Sequence, residues 1–109
     1  MSEYPSTAEF DQLKKLANDV AHPKATIDYL MSIWHFGDWG YKLKRGRDIL
    51  HKACWKFELH TGGWSGNEEL IETLGKTFFW FIFWQKSIRG GHYWFEIPDE
   101  FMKSKQEAR

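Results

Sequence analysis

The sequence predicts an α+β fold that is mainly helical: two N-terminal helices, then a strand, a long central helix and a second strand, packed as a homo-oligomer. Apolar residues recur at helical spacing up to Trp34 and again from Leu70. Two short segments alternate with period two, and glycine pairs stand where the period changes. At 109 residues the chain is one domain. Its parts are a helical segment (1–40), a motif-bearing segment (54–98) and a charged tail (99–109).

Ser6-Thr7-Ala8-Glu9 has the spacing of a capping box. Phe10, Leu13, Leu16, Ala17 and Val20 then predict an amphipathic helix over 7–20. Pro23 suits the first turn of a second helix, with Ile27, Leu30, Met31 and Trp34 on one face. His35-Phe36-Gly37-Asp38-Trp39-Gly40 reads as a loop. Residues 42–56 set Lys42, Lys44, Arg45, Arg47, Lys52 and Lys56 against Asp48 alone, a net of five positive charges. That stretch reads as a solvated face able to attract a small anion. Trp55, Phe57 and Leu59 alternate with Lys56 and Glu58, a half-buried strand.

After a turn at 60–67, a helix is expected from Glu68 to Ile88. Residues 78–84 are apolar on every side, which predicts burial. Such a helix would be about 33 Å long, the central pillar and the oligomer seam. Arg89-Gly90-Gly91 ends it, with Gly90 expected at positive φ. His92 opens a second strand over 92–97 with Tyr93, Phe95 and Ile97 on one face. Pro98 closes it, and a short helix or frayed end follows.

Fifteen basic residues balance fifteen acidic ones, which argues against a coat for long nucleic acid or an anionic membrane. At 42% hydrophobic the chain is too apolar for disorder. A single cysteine, Cys54, excludes an intrachain disulfide or a multi-cysteine zinc site, and is expected as a small core residue in a reducing compartment. No signal peptide is read at the start, and no apolar run approaches the roughly 20 residues of a membrane span. Seven Trp, nine Phe and four Tyr are more rings than so small a globule can hide. Some are expected to face a partner or a ligand.

The turn Gly62-Gly63-Trp64-Ser65-Gly66-Asn67-Glu68 fails three enzyme templates. Asn67 stands where a nucleophile elbow needs glycine, no Lys follows Gly66 as a P-loop requires, and the dinucleotide-binding glycine spacing is absent. The five histidines show no compact ligand spacing, so no metal is expected. The turn can serve as an N-cap, with Ser65 capping and Glu68 completing its box. It can also offer backbone amides to an anion or a ribose hydroxyl. Arg89-Gly90-Gly91-His92-Tyr93-Trp94 brings a guanidinium, an imidazole and an indole. Across a 33 Å helix the two glycine clusters of one chain cannot meet. An antiparallel dimer would unite Trp64 and Ser65 of one copy with Arg89 and His92 of another.

On the G-G-W-S-G-N-E turn and the downstream R-G-G-H-Y and F-E-I segments, residues 57–97 resemble small tailed-phage and prophage proteins. The resemblance implies a phage origin and a host-cytoplasmic location, and carries no activity with it. By analogy, small phage proteins of this kind often counter host defence, by blocking a host enzyme or by sequestering a nucleotide signal.

The expectation is a non-enzymatic, cofactor-free homo-oligomer that captures a small nucleotide-type ligand, such as a cyclic nucleotide or a cyclic ADP-ribose relative. Trp64 or Trp94 would stack the base, and Asn67 or Glu68 would hold ribose or base edges. Ser65 and Gly66 would supply backbone amides, and Arg89 with His92 would meet phosphate. The alternatives are a protein-binding inhibitor that uses the aromatic surface and a small hydrolase acting at Ser65 or His92.

Overall fold

A computed structural model describes residues 4–35, 37 and 39–102. Phe36 and Asp38 of the aromatic loop, and the end of the charged tail, lie outside the described residues. Helix α1 (Thr7–Ala17) starts at the expected capping box: the Ser6 hydroxyl accepts from Glu9 N at 3.2 Å, and Glu9 accepts from Ser6 N at 2.9 Å. It stops at Asn18, a turn short of Val20. Helix α2 (Pro23–Ile33) begins on Pro23, whose missing N–H costs nothing there.

Strand β1 (Tyr41–Arg47) forms from the basic stretch, a hairpin partner of β2 (Ala53–His60). Tyr41 and Leu43 turn toward the core while Lys42 and Lys44 turn away, the period-two signature that the local charge hid. Asp48 closes the loop, its carboxylate accepting from the amides of Leu50 (2.8 Å) and Lys52 (3.0 Å).

The expected long helix does not exist, and the fold is not mainly helical. Helix α3 (Ser65–Leu74) ends at Gly75, helix α4 (Phe78–Phe83) is a separate piece, and the chain turns directly into strand β3 (Trp84–Ile88). Side chains enforce the break. The Thr77 hydroxyl donates to Leu74 O at 2.6 Å, satisfying a C-terminal carbonyl of α3. Asn18, at the end of α1, accepts from Phe78 N at 3.1 Å and so caps α4 from another element. The segment read as helix down to Ile88 instead joins a hairpin. Arg89-Gly90-Gly91 links β3 to β4 (His92–Pro98), with Gly90 at φ +100° and Gly91 at φ +86°. A 3₁₀ turn, Asp99–Met102, follows.

The sheet is four-stranded and antiparallel, in the order β1-β2-β4-β3. Its inner face carries Phe57, Leu59, Phe95 and Ile97, all buried. Leu13 and Ala17 of α1, Ile27 and Leu30 of α2, Leu70 and Leu74 of α3, and Phe79 and Phe83 of α4 complete this core. Each buried Leu or Phe contributes about 1.5–3 kcal/mol. The architecture is therefore one helical layer against one sheet. Burial of residues 78–84 is half right: Phe79 and Phe83 are inside, whereas Phe81 is 84% exposed. Among the described residues, no helix is long and apolar enough to cross a membrane.

Candidate functional site

Antiparallel pairing sets His60 opposite His92, Glu58 opposite Trp94 and Lys56 opposite Glu96. Inner-face residues alternate with these, so all six lie on the face turned away from the helical core. Lys42 and Lys44 extend that face on β1, opposite Glu58 and Lys56, and Lys86 extends it on β3, opposite Trp94.

Three of these groups form a chain. His60 Nδ1 lies 2.8 Å from His92 Nδ1, and His60 Nε2 lies 3.3 Å from a Glu58 carboxylate oxygen. With Glu58 ionised and both rings neutral, only one proton arrangement satisfies both contacts. His60 Nε2–H donates to Glu58 and His92 Nδ1–H donates to His60, which leaves His92 Nε2 as an acceptor. Adding one proton reverses this. His60 becomes an imidazolium held by Glu58 and donates to His92 Nδ1, so His92 Nε2 now carries the hydrogen. A single proton thus inverts the hydrogen-bonding sense of the far nitrogen of His92.

Trp94 stands beside the pair, edge-on to His60 at 5.8 Å, with the Lys86 ammonium 4.8 Å from its ring centroid. A groove of about 260 Å³ runs along this ring between Lys56, Lys86 and Glu96. Lys56 and Glu96 pair at 3.2 Å. At the far end of the same face Cys54 is fully buried, and burial pushes its thiol up from the ordinary range, so it stays protonated.

The glycine clusters meet within one chain, so a trans dimer is not needed to join them. Thr61 N donates to Gly91 O at 2.9 Å, and a Cβ at Gly91 would collide with the Thr61 hydroxyl. The meeting does not merge the candidate residues into one pocket. Arg89, His92 and Trp94 belong to the hairpin and the uncovered face. Trp64, Ser65, Gly66, Asn67 and Glu68 belong to the start of α3.

That second cluster is occupied by the protein itself. Trp64 stacks on His35 at 4.4 Å and meets Tyr4 edge-on at 5.8 Å. Gly66 lies beneath the indole, where a Cβ would clash with the ring. Asn67 is fully buried; its amide donates to His35 O (3.1 Å) and Thr61 O (3.2 Å) and accepts from His35 N (3.0 Å). Ser65 is the first helical residue rather than the cap. Trp64 holds the cap position, and no side-chain cap bond forms, so the expected Ser65–Glu68 box is absent. The Tyr4 phenol is held above its ordinary value, first by its hydrogen bond to Glu69, which places it over the same helix start.

From sequence, Glu58 has only a place in the alternation of its strand, and His60 and Lys86 have no role in ligand capture. Alternation alone puts Glu58 and His60 on the outer face of their strand, but which strand pairs with it, and in what register, has no local signature. Among the described residues no cluster of His, Cys, Asp or Glu could hold a metal ion. No family model, no curated protein and no solved structure matches the chain.

Proposed function

We propose that the protein is a non-enzymatic binder of a small nucleotide-type ligand, captured on the uncovered face of the sheet. The observation that carries this reading is the indole of Trp94, with Lys86 over it and the His60–His92 pair at its edge. An aromatic face flanked by cations suits a base joined to a phosphate. Trp94 takes the stacking role, because Trp64 is already stacked on His35. Lys86 swings from the ring to the phosphate, joined by Arg89. His92 Nε2 accepts from a ribose hydroxyl or an exocyclic amine. The resemblance to tailed-phage proteins supports a setting in the host cytoplasm, where capture without turnover would silence a defence signal, and the surplus of aromatic rings supports a homo-oligomeric working form.

A panel of cyclic and linear nucleotides, each incubated with the protein and followed by calorimetry, tests the reading. The expected result is saturable binding of at least one member, recovered chemically intact after heat denaturation. A second reading, hydrolysis with His92 as general base, is favoured by the Glu58–His60–His92 chain, since its neutral form leaves Nε2 of His92 as the proton acceptor. Recovery of a cleaved product would select it. If no member of the panel is either retained or cleaved, both readings are overturned.

A further inference from the structure

We infer that the outward face of α4 is the contact between two copies of this chain, related by a twofold axis. The inference deepens the oligomeric part of the reading above by naming the surface, and it is independent of which ligand the sheet binds. Helix α4 has six residues and no charge, and it is apolar on both sides. Phe79 and Phe83 fill the core, whereas Phe78, Phe81 and Ile82, at the i, i+3, i+4 positions of the opposite side, are 59%, 84% and 49% exposed. Trp84 and Phe101 flank them at 41% and 37% exposed. From Phe78 to Gln85 the sequence contains no charged residue.

The size of the patch suits a second copy. At roughly 200 Å² per large apolar side chain, these exposed fractions amount to about 500 Å² per copy. Paired, they bury about 1,000 Å², the lower bound for a biological interface and short of the 1,200–2,000 Å² or so of the standard stable one. The shape suits a second copy as well. One residue on from Phe81, Ile82 lines a groove of about 230 Å³ together with Phe83, Pro98 and Phe101. A cavity of about 150 Å³ holds a benzene ring, so the groove has room for one phenyl group. Knob and groove on one patch are what a twofold contact requires, each copy's Phe81 entering the other's groove.

Other occupants fit less well. Asp48 and Glu96 also line the groove, and carboxylates there oppose an anionic membrane surface. Residues 103–109, which follow the 3₁₀ turn, are polar apart from Ala108 and offer no apolar cover.

Light scattering on the full chain at low micromolar concentration should report about twice the 13.0 kDa chain mass. Phe81→Glu should halve that mass with an unchanged circular-dichroism spectrum, and Phe81→Gln should do the same if the charged variant fails to fold. Ile49→Glu, at the exposed tip of the β1–β2 hairpin, should remain dimeric. A wild-type monomer overturns the inference and leaves the nucleotide reading untouched. A folded Phe81→Glu dimer, or a monomeric Ile49→Glu, moves the interface elsewhere and also overturns it. A monomer that co-floats with phosphatidylcholine vesicles through Phe81 reassigns the patch to lipid.

Discussion

The two glycine turns look alike in sequence and differ in the fold. Each presents glycines, an indole and polar side chains next to a regular element. At the start of α3 those groups are spent on the protein: Trp64 on His35, and Asn67 on the backbone of the 35 and 61 loops. Beyond the hairpin, His92 and Trp94 sit on the sheet face turned away from the helical core, which no helix among the described residues covers. The chemistry of a motif is available to a ligand only where packing has not already used it. An amide with three hydrogen bonds to the protein is a latch, and an indole beside a cation on an open face is a surface for binding.

The sharpest way to break this contrast is Asn67→Ala. It removes three hydrogen bonds from a fully buried amide, to His35 N, His35 O and Thr61 O, and each is worth about 0.5–1.5 kcal/mol. A loss of about 3 kcal/mol in denaturant unfolding is expected. A loss under about 0.5 kcal/mol, the range of surface substitutions, would mean the latch is dispensable and Asn67 free to serve a ligand.

The two tryptophans should respond in opposite senses. Trp94→Ala should weaken nucleotide capture about ten- to a hundredfold, the worth of one base–aromatic stack, with little change in melting temperature. Trp64→Ala should cost about 2 kcal/mol of stability, since its indole packs on His35, Tyr4 and Gly66. If Trp64→Ala kept full stability while abolishing capture, the occupied and the open cluster would have to exchange roles.

Much of the local structure was legible because it depends on nearest neighbours. The Ser6 box, the Pro23 start, the inward trio Tyr93, Phe95 and Ile97, and the positive φ of Gly90 all follow from spacing and backbone sterics. What failed depends on partners remote in sequence. Residues 78–84 read as a buried helix because hydrophobicity cannot say which side of an apolar segment finds a core. The break at Gly75 depends on Asn18, sixty residues before Phe78. β1 was lost because its lysines drew the reading to charge rather than to the alternation of Tyr41 and Leu43. The Glu58–His60–His92 chain needs the β2–β4 register, which no single strand encodes.

A smaller effect separates the open face from an inert basic surface. Nitrogen NMR of the neutral pair should show His92 with its hydrogen on Nδ1, as the chain to Glu58 requires. Glu58→Ala removes the acceptor that fixes this order, so the hydrogen should spread to Nε2 and capture of a nucleoside should weaken about threefold to tenfold, the worth of one hydrogen bond. An unchanged affinity would disconnect the pair from recognition.

The smallest expected effect is that of Arg89→Ala. Arg89 is exposed at the hairpin turn, next to the glycines that give the turn its shape. Those glycines, not the guanidinium, satisfy the backbone there, so unfolding free energy should stay within about 0.5 kcal/mol of wild type. Gly90→Val is the contrast, because a β-branched residue cannot sit at φ +100° without strain. On the ligand side, an exposed ion pair is worth at most about 1 kcal/mol and is screened by salt. Arg89→Ala should therefore weaken a phosphorylated ligand about threefold at low ionic strength and hardly at all in high salt, while a nucleoside is unaffected. Equal losses for charged and uncharged ligands would show that Arg89 shapes the turn beneath His92 rather than meeting phosphate.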